Sequence, residues 1–136
     1  MFKTRIVEMD EKENDIRRVL NMGHTLGHAI ETAGNYEKYL HGEAVFLGMK
    51  AVLYISKKRK MLSNSEYDLV VNLINKFYPE KLYENIKTDD LLDLIKKDKK
   101  VRDGKNIWVL LQEIGQPAIV DDVKKKEIMD AIETIR

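Results

Sequence analysis

Apolar positions recur along most of this chain at helical spacing. Within residues 11–33, Val19, Met22, Leu26, Ala29, Ile30 and Ala33 return every three or four residues, predicting one amphipathic helix with that face in the core. Gly34-Asn35 marks its expected stop. In the next stretch, 42–57, the run AVFLGMKAVLYI is apolar almost all round, as expected of a central helix covered by neighbours. Ser63 with Glu66 makes a capping-box pattern for a third helix, whose apolar set Leu69, Val70, Leu73, Ile74 and Phe77 ends before Pro79. Thr88 precedes a short fourth helix with Leu91, Leu94 and Ile95 facing inward. The period then changes: Asp103-Gly104 predicts a turn, 107–111 (IWVLL) a strand, Gly115-Gln116-Pro117 a second turn and 118–120 a returning strand. Asp121-Asp122 reads as the cap of a last helix carrying Val123, Ile128, Ile132 and Ile135. Residues 1–10 show no period and read as the end of an extended connection. The expected fold is mainly α: a multi-helix, bundle-like single domain over 1–136 with a small two-stranded β ribbon near residues 106–120.

Composition narrows the chemistry. A chain of 136 residues with 43% hydrophobic and 35% charged residues, 7 Gly and 2 Pro is that of one folded domain. Lys+Arg 24 against Asp+Glu 23 leaves +1, which gives no global reason to expect nucleic acid or an anionic membrane as partner. Zero Cys removes disulfides, thiolate catalysis and Cys-based zinc sites, so any transition metal must be held by His, Asp or Glu. No apolar run is long enough to span a membrane and the first residues lack a secretory signal, so a cytoplasmic location is expected.

The histidines therefore carry the argument. On an unbroken helix, Arg17, Asn21, His24, His28 and Glu31 fall within a sector of about 80° opposite the apolar face, so a guanidinium, an amide, two imidazoles and a carboxylate line one side. His24 and His28 at i,i+4 suit a shared metal or substrate, although such a pair is also common on ordinary surfaces and no H-E-x-x-H motif accompanies it. His41 stands where the next helix should start, a positive helix end that suits a neutral ligand nitrogen and an anionic substrate group. Gly23 and Gly27 inside a helix cost roughly 1 kcal/mol each relative to Ala, which implies close approach of either a packed backbone or a ligand.

The run RRVLNMGHTLGHAIE at 17–31, with LHGEAV at 40–45 and Gly48-Met49, resembles the signature of 3-dehydroquinate synthases. Asp98-Lys99-Lys100 and the Val109-Leu110-Leu111 to Ile114-Gly115 segment are similar to that family too, so the likeness spans residues 3 to 115. It covers only the family's helical C-terminal domain; the N-terminal NAD-binding domain has no counterpart here, and the chain is expected to be an excised domain or fragment, or else one piece of a split enzyme.

The resemblance implies a lyase of the shikimate pathway, on the way to chorismate and the aromatic amino acids. It converts 3-deoxy-D-arabino-heptulosonate 7-phosphate to 3-dehydroquinate and phosphate with NAD and a divalent metal, Zn2+ or Co2+. It implies His24 and His41 as metal ligands, with the third ligand, a glutamate, in the missing domain. His28 and Glu13 correspond to acid/base positions, and Lys3, Arg17, Asn21 and Lys99 to substrate-binding positions. No cofactor-binding residue for NAD is expected in this chain. Apart from the resemblance, Lys96, Lys97, Lys99 and Lys100 read as a solvated helix end, favourable against the helix dipole. Asp15-Ile16 departs from the Gly-Leu usual before the arginine. The expected partners are a sugar-phosphate substrate and the N-terminal domain, with a homodimer as a further expectation, and the isolated chain is expected to be inactive. The alternatives are a related sugar-phosphate cyclase making an inosose or valiolone, and a non-catalytic helical interaction module.

Overall fold

The computed structural model describes residues 22–35, 37–97, 101–102, 105–113 and 115–136. In chain order these form α1 (His24–Ala33), α2 (His41–Lys58), α3 (Asn64–Phe77), α4 (Thr88–Lys96), β1 (Val101–Arg102), β2 (Lys105–Asn106), β3 (Trp108–Glu113), β4 (Gln116–Val120) and α5 (Lys125–Thr134). The mainly α architecture with a small ribbon matches the sequence pattern.

Helix α2 is the hub. It packs against α1, α3, α5 and β3, and Ala44, Leu47, Ala51, Val52, Leu53 and Ile55 are all buried along it. Its start is fixed by Glu43, whose carboxylate accepts the Leu40 N–H at 2.8 Å. Around it, Leu26 and Ile30 of α1, Leu91 and Ile95 of α4, Trp108 and Leu110 of β3, and Ile128 and Ile132 of α5 close one continuous core. The buried Ser56 hydroxyl donates to the Val52 carbonyl and accepts the Leu111 N–H, each at 2.9 Å, tying the hub to the ribbon. That ribbon is an antiparallel pair running from Trp108↔Val120 to Glu113↔Gln116.

Four expectations need correction. The single helix over 11–33 does not hold: Met22 and Gly23 form a turn, Gly23 has φ 82, and regular α geometry begins at His24. A left-handed residue interrupts regular helical geometry, so helical spacing cannot be counted back from His24 through Gly23. Asp121 and Asp122 do not cap the last helix, which starts after Lys124, with the Lys124 N–H bonded to Glu127 at 3.0 Å; Asp122 instead takes a hydrogen bond from Arg59 at 2.8 Å. Gln116 and Pro117 belong to β4 and not to the turn, which retains Gly115 at φ 82. The turn predicted at Asp103-Gly104 lies outside the described residues, but the flanking β1 and β2 pair as a second, unpredicted hairpin.

The fourth correction concerns α3. Its period is helical as expected, yet Leu69, Leu73 and Phe77 are 63%, 54% and 72% exposed, whereas Ile74 is 5% exposed. Ile74→Ala is therefore expected to cost about 2–4 kcal/mol and Leu73→Ala under about 1 kcal/mol, a contrast that denaturant unfolding of the two variants reads directly.

Arg59, the residue following α2, holds α5 in place. Its Nε and one terminal nitrogen meet the two carboxylate oxygens of Glu127 at 2.7 and 2.9 Å. This hydrogen-bonded guanidinium holds the Glu127 carboxyl below its ordinary range. A depressed carboxyl stabilises the fold above the unfolded-state value, about 4.3, and that contribution is lost as pH falls further. Glu127→Gln should then cost about 1 kcal/mol at pH 7 and progressively less below about pH 4, as followed by thermal melts across pH.

Candidate functional site

The site forms where α1 and α2 begin. Three glycines bring these helices together: Gly23 just before the first, Gly27 within it and Gly48 on the second. A β-carbon on Gly27 would lie 3.1 Å from the Ala44 carbonyl oxygen and the Val45 Cα, and one on Gly48 would fall onto the Gly23 carbonyl oxygen. Close helix packing is thus a role that these glycines serve among the described residues. The Gly23 carbonyl also accepts the Gly27 N–H at 2.9 Å, the first hydrogen bond of α1, so the crossing fixes the backbone that carries His24.

His24 is the first residue of α1 and His41 the first of α2. Their rings lie with centroids 5.2 Å apart, inclined at 59°. His24 Nδ1 lies 3.4 Å from the Met22 carbonyl oxygen. His41 Nδ1 lies 2.7 Å from a carboxylate oxygen of Glu31. Because a carbonyl or carboxylate oxygen accepts, Nδ1 is the donor in each contact, and in a neutral ring that arrangement leaves the lone pair on Nε2. A tetrahedral ion bound through two Nε2 atoms at about 2.1 Å would separate the ring centroids by about 5 Å, so the observed spacing fits a divalent transition metal. Among the described residues, no group of three or more His, Cys, Asp or Glu gathers as a metal-binding set. The pair is consistent with a partial shell.

His28 lies one turn beyond His24 and is exposed, and its carbonyl accepts the Thr32 hydroxyl at 3.0 Å. Glu31 departs from its expected place on an open polar stripe: its side chain is only 11% exposed, against 63% for His41. The sequence places Glu31 beside the histidines on α1, but its pairing with His41 depends on the turn between the helices and leaves no periodic signal. Lys3, Glu13, Arg17, Asn21 and Lys99 lie outside the described residues. Among the described residues, the Asn106 side chain donates to the Ile95 carbonyl at 2.8 Å, and the Thr25 hydroxyl donates to the Ile107 carbonyl at 3.2 Å. The end of α4 and the start of the ribbon are thereby anchored beside His24.

A family model described as 3-dehydroquinate synthase C-terminal matches residues 1–101. The chain belongs to the 3-dehydroquinate synthase C-terminal family. Curated 3-dehydroquinate synthases from Dictyoglomus turgidum and Dichelobacter nodosus are 40% and 39% identical over 95% and 99% of this chain. This chain spans 36% and 37% of their lengths. A solved 2-epi-5-epi-valiolone synthase from Streptomyces hygroscopicus subsp. jinggangensis with NAD+ and Zn2+ bound is 25% identical with a TM-score of 0.79, over 96% of this chain and 36% of that one. A solved 2-deoxy-scyllo-inosose synthase, 23% identical with a TM-score of 0.72 over 94% of this chain and 36% of that one, shares the fold. The helical domain of the 3-dehydroquinate synthase family is therefore also that of these cyclases.

Proposed function

We propose that this chain is the metal- and substrate-holding part of a 3-dehydroquinate synthase, converting 3-deoxy-D-arabino-heptulosonate 7-phosphate to 3-dehydroquinate and phosphate. The observation that carries this reading is the His24–His41 pair, 5.2 Å apart at the adjoining starts of two helices locked by glycines, in a chain of that family. His24 and His41 are the metal ligands, with a third ligand and the NAD site supplied from outside these residues. A bound divalent ion, zinc or cobalt, supplies Lewis-acid polarisation of a substrate oxygen, and NAD supplies reversible hydride acceptance.

The chain's own residues bind and move protons. His28, exposed one turn along α1 from His24, transfers a proton to or from the bound sugar phosphate, with Glu13 as the second acid/base group. Arg17 offers a planar fork to phosphate or carboxylate, and Asn21, Lys3 and Lys99 complete the hold on a flexible substrate. No helix among the described residues is long and apolar enough to cross a membrane, and a cytoplasmic setting is part of this proposal.

The higher identity to the curated 3-dehydroquinate synthases, 40% against 25% for the valiolone synthase, supports this choice of substrate. An enzyme assembled from this chain and the N-terminal part of a 3-dehydroquinate synthase, given NAD and Zn2+, should release phosphate from the heptulosonate phosphate. Turnover of sedoheptulose 7-phosphate alone would overturn the assignment in favour of a related cyclase.

A further inference from the structure

We propose that Glu31 is a positioning residue for the metal site: its carboxylate holds the His41 ring in the tautomer and orientation that present Nε2 toward His24. This inference rests on the metal-site reading above and extends it to a residue that does not touch the metal.

Glu31 and Ser56 are the buried polar side chains among the described residues. The Ser56 hydroxyl links α2 to the ribbon. Burying the Glu31 carboxylate is costly unless a donor meets it, and the donor it meets is His41 Nδ1 at 2.7 Å, ten residues on and across the interhelical turn. The asymmetry of the pair is informative. The carboxylate is enclosed by the fold while the His41 side chain is 63% exposed, so the rigid partner is the acceptor and the ring is what it orients. An exposed imidazole otherwise rotates and samples both tautomers, and each alternative directs a protonated nitrogen or an edge carbon at the ion. A carboxylate on the far nitrogen removes those states and raises the basicity of the ligating one, the usual outer partner of a metal-bound histidine.

Two variants separate orientation from packing. Glu31→Met keeps the length and bulk of the side chain without the acceptor, and Glu31→Gln keeps an acceptor oxygen without the charge. At fixed pH, zinc titration of the whole chain by calorimetry should show roughly tenfold or greater weakening in Glu31→Met, with most of the affinity retained in Glu31→Gln. Nitrogen NMR of the metal-free chain should show His41 as the Nδ1–H tautomer in wild type and Glu31→Gln, and as a tautomer mixture in Glu31→Met. Wild-type zinc affinity and an unchanged tautomer in Glu31→Met, while His41→Ala abolishes binding, would overturn the positioning role and leave the metal site standing. Affinity that falls equally in both variants and tracks their melting temperatures would overturn it in favour of a merely structural pair. Undiminished zinc binding in both His24→Ala and His41→Ala would overturn the metal-site reading and the positioning role with it.

Discussion

Gly48→Ala is expected to lower the melting temperature by roughly 8 °C, equivalent to about 2–3 kcal/mol, and to weaken the metal site as well. The added methyl would fall onto the Gly23 carbonyl and lie 2.9 Å from the Gly27 nitrogen. Both atoms are backbone at the first hydrogen bond of α1, so no side chain can swing aside and the helix itself must move off α2. Helix propensity works the other way: in a helix interior Ala is favoured over Gly by about 1 kcal/mol, an advantage the native sequence forgoes to bring the helices together. Gly42→Ala is the control, since a methyl there meets nothing within 4 Å; it should be neutral or slightly stabilising. Thermal melts of the two variants check the pair. Equal small effects would mean that the crossing is looser than these contacts require.

The second large effect is a division of labour along one turn of α1. In the enzyme assembled with an N-terminal part, NAD and Zn2+, His24→Ala should lose at least about a hundredfold in zinc affinity, because removing one imidazole leaves His41 as the chain's remaining histidine ligand. His28→Ala should leave zinc affinity within about threefold yet lower kcat by about 10²–10⁴, the usual contribution of a general acid or base. His24 begins the helix with its ring against His41, whereas His28 stands exposed a turn later. Calorimetry and phosphate release on the same samples measure both. Equal zinc losses in the two variants would mean that His28 is itself a ligand.

Much of this arrangement is legible in the residues. The apolar run of α2 identifies the hub because a helix buried on every side has no polar face. The change of period at 107–111 locates the ribbon, and a histidine on the first helix with another at the next helix start anticipates the His24–His41 juxtaposition. Other features escape for physical reasons. The turn at Gly23 is hidden because Val19, Met22 and Leu26 keep helical spacing across it, and spacing does not report a backbone at φ 82. Leu69, Leu73 and Phe77 show that periodicity reveals which residues share a face but not whether anything covers it. Asp122 resembles a cap, yet Arg59, distant in sequence, recruits it. Glu31 belongs to the polar side of α1 by angle and to the interior by packing. The motif residues Lys3, Glu13, Arg17, Asn21 and Lys99 remain assigned by family resemblance.

The central claim is a metal site shared between this chain and a part outside it, and zinc calorimetry tests it most directly. The chain is titrated alone, then mixed with the N-terminal part of a 3-dehydroquinate synthase and NAD, with His24→Ala alongside. Weak binding that tightens by about a hundredfold or more on mixing, and is lost in His24→Ala, is the predicted result. Zinc binding that is unchanged by mixing and indifferent to His24 would contradict the account and leave a helical domain whose histidines serve no common ion.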